Sequence, residues 1–231
     1  RYTDALAVGS PVAHGPFAQA LITGLPLRDD ITSLLVAHRN ADKYTWSEMR
    51  GKAKRDLGIH SGHKVILVFG GSQGSQAINS TIENTRELIK ERPITIIHSV
   101  GAANNVPTSD GQYLAFPYIE NMATAYLASD LVIARSGAVT CSEVNALGKY
   151  ALFIPLPIGN GEQSVNADHL VEMGRARVLE QSSFTASWLL DNMDSMLATS
   201  DQLSDLPSFG DLEAAAKIVA LAEHQLSDGE R

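Results

Sequence analysis

From Lys64 onward, short apolar runs alternate with stretches in which apolar residues recur every three or four positions. The runs predict strands at 64–69, 94–99, 113–116, 131–134, 151–154 and 176–179. The periodic stretches predict helices near 75–91, 121–127, 137–147, 163–173 and 184–197. Strands that are apolar throughout and alternate with helices imply an α/β fold, with a parallel sheet covered on both faces. Such sheets bind ligands beyond the carboxyl ends of their strands, so the loops that follow strands are where chemistry is expected.

Ahead of Lys64 the pattern is less regular. A short apolar stretch (residues 5–8) and a Pro/Gly-rich patch (9–16) lead to Ala20-Leu-Ile-Thr-Gly24 and then to Pro26-Leu27-Arg28. A strand-like run with no earlier partner looks like the tail of a preceding domain. Residues 29–57 read as mostly helical, with Thr45 and Glu48 as a capping box for a helix closing near Gly58. At the other end a helical stretch, 211–225, follows the loop Leu206-Pro207-Ser208 and either packs on the sheet or crosses to another domain. The expected division is a tail and hinge over 1–28, a ligand-binding domain over 29–210 and a terminal helix over 211–231.

Three loops carry candidate chemistry. Val65-Ile-Leu-Val-Phe69 runs straight into Gly70-Gly-Ser-Gln-Gly-Ser75 and then a helical pattern. Strand, glycine-rich turn and helix in that order suit an anion, because glycines admit a close approach and the first helical turn offers unpaired N–H groups. The spacing is not G-x-G-x-x-G and no P-loop lysine follows, which weighs against nicotinamide and ATPase readings. Taken alone, the loop is equally well a tight connection. The second is Ala134-Arg-Ser-Gly-Ala-Val-Thr-Cys-Ser-Glu143, where Ser136 is expected to cap a helix entered through the small residues Ala138, Val139 and Thr140. Two turns on, Glu143 is placed to accept hydrogen bonds from ribose hydroxyls, or else is a surface carboxylate near a helix dipole. The third, Pro155 to Ala167, presents Glu162, Gln163 and Asn166 at the mouth of a helix. Carboxamides there suit sugar hydroxyls, although composition alone favours a plain helix start. Arg28 after the Pro26 turn is either a phosphate partner or a solvated charge. Ile119 reads as core from its own context.

Composition narrows the classes. A net charge of −8 weighs against broad nucleic-acid or anionic-membrane binding. The single Cys141 excludes an internal disulfide and reads as an inert packed thiol, and no Cys/His spacing suggests a metal site. No apolar run approaches the ~20 residues of a spanning helix. Asp-x-Asp does not occur, so the usual metal–diphosphate signature is missing.

Gly70-Gly-Ser-Gln-Gly74, Ser136-Gly-Ala-Val-Thr140 with Ser142-Glu143, and Gln163-Ser-Val-Asn-Ala167 together resemble, in order and separation, the carboxyl-terminal half of the MurG family of bacterial glycosyltransferases. That family adds N-acetylglucosamine to lipid I, undecaprenyl-pyrophosphoryl-muramoyl-pentapeptide, to form lipid II in peptidoglycan synthesis. The resemblance spans Thr23 to the end and implies a Rossmann-like donor domain of a two-domain GT-B architecture, an inverting reaction, and neither cofactor nor metal. By matched position it assigns Ser72 and the backbone of Ala138, Val139 and Thr140 to the diphosphate, with Cys141 and Ser142 in the same segment. Glu143 is assigned to the ribose, Ile119 to uracil through its backbone, Arg28 to the phosphates and Gln163 to the N-acetylglucosamine hydroxyls. Gly71, Gln73, Glu162 and Asn166 are weaker candidates. Leu25 stands where the family commonly has Asn. The resemblance further implies that an amino-terminal domain supplies the lipid I site, the membrane-contact patch and the catalytic base. This chain is therefore expected to be a soluble donor half, inactive alone, of an enzyme peripheral to the cytoplasmic face of the membrane. Two other readings are a donor-binding subunit of a split glycosyltransferase and a noncatalytic UDP-sugar-binding module. The UDP-N-acetylglucosamine 2-epimerases share the architecture but not these motifs in this order.

Overall fold

A parallel pair of short strands, β1 (Ala7–Val8) and β2 (Leu21–Ile22), precedes a six-stranded parallel sheet. The sheet consists of β3 (Lys64–Phe69), β4 (Ile94–Ser99), β5 (Tyr113–Phe116), β6 (Leu131–Ala134), β7 (Tyr150–Phe153) and β8 (Ala176–Val178). The computed structural model describes residues 6–9, 19–157, 161–203 and 207–229, with side chains to 225. All but the first residue of the expected Pro/Gly-rich patch therefore lies outside the described residues.

Around the sheet run α1 (Asp29–Asn40), α2 (Lys43–Asp56), α3 (Gln76–Arg86), α4 (Met122–Ala128), α5 (Ala138–Ala146), α6 (Glu162–Glu172) and α7 (Ala186–Leu203), and α8 (Ala214–Gly229) follows. Successive side chains of a strand point to opposite faces. Val65, Leu67 and Phe69 pack with α1, α2, α4, α5 and α6, while Ile66 and Val68 pack with α3 and α7. Burial on both faces is why these strands are apolar throughout rather than alternating.

Some expectations are corrected. The 29–57 stretch is two helices broken at Ala41–Asp42, and Asp42, not Thr45, caps the second: its carboxylate accepts from Thr45 N at 2.7 Å. Thr45 is already the third residue of that helix, so the expected Thr45–Glu48 box does not form. The helix does close at Gly58, whose φ of 71° suits glycine. Strand β7 is displaced by one residue from the expected range, α3 gives way to a 3-10 turn at Glu87–Ile89, and α7 continues to Leu203.

The strand order, β5-β4-β3-β6-β7-β8, positions the site. From β3 the chain steps outward to β4 and β5, then returns so that β6 lies on the other flank of β3. Ligands bind in the crevice at such a reversal. Register sharpens this: Phe116, Ser99, Phe69, Ala134 and Phe153, each the last residue of its strand, pair across the sheet at one level. The loops of interest therefore leave the sheet from a single rim.

The opposite end of the sheet is tied by Asp130, 7% exposed, whose oxygens accept from Arg50 (2.8 Å), Lys54 (3.3 Å) and the Val65 amide (2.8 Å). Burial pushes this carboxyl up, but Arg50, Lys54 and the Val65 N–H outweigh it and hold it below the ordinary carboxylate range. A depressed pKa gives stability that is complete above the unfolded value of about 3.9 and is lost as pH falls through the folded one. Asp130→Asn is expected to cost about 1–3 kcal/mol at neutral pH and to flatten the acid limb, as thermal melts from pH 7 down to 3 would show.

Candidate functional site

At the β3–β6 crevice a cavity of about 610 Å³ is lined by Gly70, Gly71, Gly74, Ser75, Arg135, Gly137, Thr140, Gln163 and Gln181, among others. One wall is the glycine-rich loop and the start of α3. Ser75 caps that helix, its hydroxyl accepting from Ile78 N at 3.4 Å. The facing wall is the start of α5. Its cap is Gly137, not the expected Ser136: Gly137 holds the extended conformation and offers no side-chain cap. The helix begins one residue later than Ser136 could cap. The first-turn N–H groups of α5 are consequently open to a ligand rather than closed by a hydroxyl. Ser136 Oγ is buried with no partner, and its carbonyl accepts from Asn166 Nδ2 at 3.1 Å.

Arg135 spans the crevice. Its Nη1 donates to the Ile154 and Pro155 carbonyls, both at 2.9 Å, and its Nη2 to Ser75 Oγ at 2.7 Å and Gln181 Oε1 at 2.6 Å. All four acceptors are neutral, so the guanidinium charge is held rigidly with no carboxylate among the described residues paired to it. Such a fixed charge favours an anion in the cavity. Arg135, Ser75 and Gln181 were not singled out by sequence reasoning. Arg135 carried a signal, standing at a strand end inside the second motif; Gln181 carried none.

The expected site residues divide among several surroundings. Gly71, Thr140 and Gln163 line the crevice, and Gln163 Oε1 accepts from Leu156 N at 2.9 Å, folding its loop back on itself. Residues 158–160 of that loop lie outside the described residues. Ser72 and Gln73 are exposed on the glycine-rich loop, Val139 is 51% exposed, and Glu162 is exposed in the first turn of α6. Ala138, Cys141, Ser142 and Asn166 line a neighbouring cavity of about 320 Å³, on the side of α5 toward Leu25 and Asp211. There the Ser142 hydroxyl is already bonded to Asp211 at 2.5 Å. Burial pushes the Cys141 thiol up to about 12, which leaves it without nucleophilic character at neutral pH. Ile119 is buried in the core beside Met122 and Tyr126.

Glu143 turns from α5 toward α4 and is 4% exposed. Arg28 Nε donates to its Oε1 at 2.9 Å and the Tyr126 hydroxyl to its Oε2 at 3.0 Å. Burial raises the Glu143 carboxyl above the ordinary range, and Arg28 and Tyr126 offset only part of this. Arg28, just ahead of α1, therefore pairs with Glu143, and its Nη2 has no partner among the described residues. Arg28 and Tyr126 thus fix the orientation of this carboxylate, which lines neither of the two cavities.

Residues 65–220 match the family described as glycosyltransferase family 28 C-terminal domain. A UDP-N-acetylglucosamine–N-acetylmuramyl-(pentapeptide) pyrophosphoryl-undecaprenol N-acetylglucosamine transferase from Mycolicibacterium vanbaalenii is 35% identical over 210 residues, covering 87% of this chain and 50% of that protein. The protein of the same name from Nocardia farcinica is 34% identical over 226 residues, covering 94% of this chain and 57% of that one. The chain thus spans about half the length of the curated relatives it matches. Among solved structures, MurG from Acinetobacter baumannii superposes with a TM-score of 0.65 at 24% identity, over 96% of this chain and 60% of that one. The calicheamicin glycosyltransferase CalG4 superposes at 0.55 with 14% identity, over 71% and 44%. Both are likenesses of fold.

Proposed function

We propose that this chain, which belongs to the glycosyltransferase family 28 C-terminal domain family, binds a uridine-diphosphate sugar along the β3–β6 rim. It would serve as the donor side of an enzyme transferring N-acetylglucosamine to lipid I. The observation that carries this reading is the uncompensated Arg135 between two facing loops, one glycine-rich and one opening a helix without a side-chain cap. The diphosphate would occupy the crevice, the ribose would reach Glu143, and uracil would lie toward the β5–α4 loop at Ile119. The sugar would extend toward Gln163. N-acetylglucosamine is the sugar in the names of the relatives at about a third identity.

The acceptor's C4 hydroxyl would attack the anomeric carbon from the face opposite the diphosphate, inverting it, while negative charge grows on the leaving group. Arg135 and the first-turn amides of α5 are preoriented toward that charge, which lowers the barrier because they need not reorganise as it forms. None of the described lining residues of the crevice is a carboxylate, histidine or cysteine. The crevice therefore supplies binding and charge stabilisation, and the base comes from outside it. The β1–β2 pair and the largely exposed α8 are read as belonging with a neighbouring acceptor domain. The whole enzyme would then work at the cytoplasmic face of the membrane.

Calorimetry on this chain tests the reading. UDP and UDP-N-acetylglucosamine are expected to bind, with UDP-glucose weaker than the latter. An absence of heat with UDP at millimolar concentration would remove the donor assignment.

A further inference from the structure

Behind the glycine-rich loop lies a polar network that the crevice itself does not use. The turn at Val100–Asn104, which follows β4, is in backbone contact with the loop: Ala102 N donates to Ser72 O at 3.2 Å, and a Cβ on Gly101 would overlap Gln73 and Gly74. One side chain stitches the two together. Asn104 Nδ2 donates to Gln73 O and to Val100 O, both at 2.9 Å. Val100 O also accepts from Asn79 Nδ2 at 2.9 Å, which occupies both of its lone pairs.

Asn79 is held in turn. Because its amide nitrogen faces a carbonyl, its Oδ1 must be the atom facing His98 Nε2, at 3.1 Å. Nε2 then carries the proton, and His98 Nδ1 accepts from the Tyr113 hydroxyl at 2.8 Å. His98 is 1% exposed, and burial lowers it to about 4, so near neutral pH it stays a one-donor, one-acceptor group and the chain has a single direction. Arg86 lies over the Tyr113 ring at 4.4 Å, closing the outer end.

Resting on the donor reading above, we propose that Asn104, backed by the Tyr113–His98–Asn79 chain, positions the glycine-rich loop for the diphosphate without touching the nucleotide. A glycine-rich loop is the most entropically costly backbone to order. Anion binding needs its amides already aimed, since any ordering left to the binding step is subtracted from affinity. The stitch fixes the loop from the side away from the crevice, where it leaves the inner face of the loop unobstructed.

The test is Asn104→Ala in this chain, with His98→Phe as a second variant that removes the chain from its middle. UDP is titrated by calorimetry and uridine by nuclear magnetic resonance, and hydrogen exchange is followed at the amides of 71–74. UDP affinity is expected to fall roughly tenfold, the scale of about one net hydrogen bond. Uridine affinity should change less than about twofold, and exchange at 71–74 should accelerate while that of β6 is unchanged. Unaltered UDP affinity, or equal weakening of UDP and uridine, would overturn the positioning role alone. If the unsubstituted chain bound no UDP, the donor reading itself would fall and this role with it.

Discussion

Gly74→Ala is expected to disable the glycine-rich loop and, if that loop holds the diphosphate as proposed, to lower UDP affinity by ~100-fold or more, a loss of about 3 kcal/mol or above. Two independent costs add at this position. Gly74 has φ of +74°, where a Cβ costs about 1–2 kcal/mol. That Cβ would also overlap the Val100 carbonyl, with Val100 C at 2.7 Å and Asn104 Nδ2 at 2.8 Å. The carbonyl cannot step aside, because two amide groups hold it. Overpacking against fixed backbone typically costs about 1–3 kcal/mol more. The other loop glycines separate the causes. Gly71 has φ of +92° with nothing near its Cβ position, so Gly71→Ala should cost only the conformational strain. Gly70 lies outside the left-handed region, but its Cβ would stand 2.5 Å from Ser75 N and 2.6 Å from Ser75 Cβ, so Gly70→Ala should fail by collision. Thermal melts and UDP calorimetry on the three variants should rank Gly74→Ala as most damaging and Gly71→Ala as least. Equal damage from Gly71→Ala would contradict the close loop-to-turn contact.

Glu143→Ala is expected to weaken UDP by roughly a hundredfold as well, through a different route. Each hydrogen bond to a charged group contributes about 1.5–3 kcal/mol, and in the donor reading proposed above Glu143 would accept from two ribose hydroxyls. The same change leaves the fully buried Tyr126 hydroxyl unpaired and releases Arg28, which is already 39% exposed and so loses less. A fall in stability therefore accompanies the loss of affinity, and the two must be separated. UDP and 2′,3′-dideoxy-UDP do so in a double-mutant cycle. The unsubstituted chain should prefer UDP strongly, and Glu143→Ala should bind both alike. An unsubstituted chain that did not distinguish the two nucleotides would show that Glu143 does not read the ribose. Burial raises the Glu143 carboxyl, so UDP binding should also decline on acidification at a higher pH than an ordinary carboxylate would impose. Glu143→Gln should abolish that decline.

The candidate site was legible in part. A glycine cluster directly after a buried strand suits either an anion or a tight connection, and Gly70, Gly71 and Gly74 do line the crevice. Thr140 and Gln163 reach the same crevice from the other two motifs. Ser136 was misplaced because capping depends on which residue first takes helical dihedrals, and the helix begins one residue later than the serine suggests. Asp42 escapes the sequence pattern for a related reason: Thr45 and Glu48 have capping-box spacing, yet the break between the two helices falls before both. The Tyr113–His98–Asn79 chain has no signal in the sequence, since its members come from β5, β4 and α3 and meet only in the fold.

Most strand positions, the parallel α/β class and the places of the three loops after strands were determined by the chain's own pattern of apolar and polar residues. Burial on both faces leaves a mainly apolar run in the four central strands, β4, β3, β6 and β7, and that information is local. The tertiary structure alone decided that β6 returns beside β3, and that four other strand ends align with Phe69. It also decided that Arg135 meets Ser75 and Gln181 from 60 and 46 residues away. Strand order and register follow from the summed packing of both helical layers on the sheet, a sum over distant residues that no short window of the chain contains.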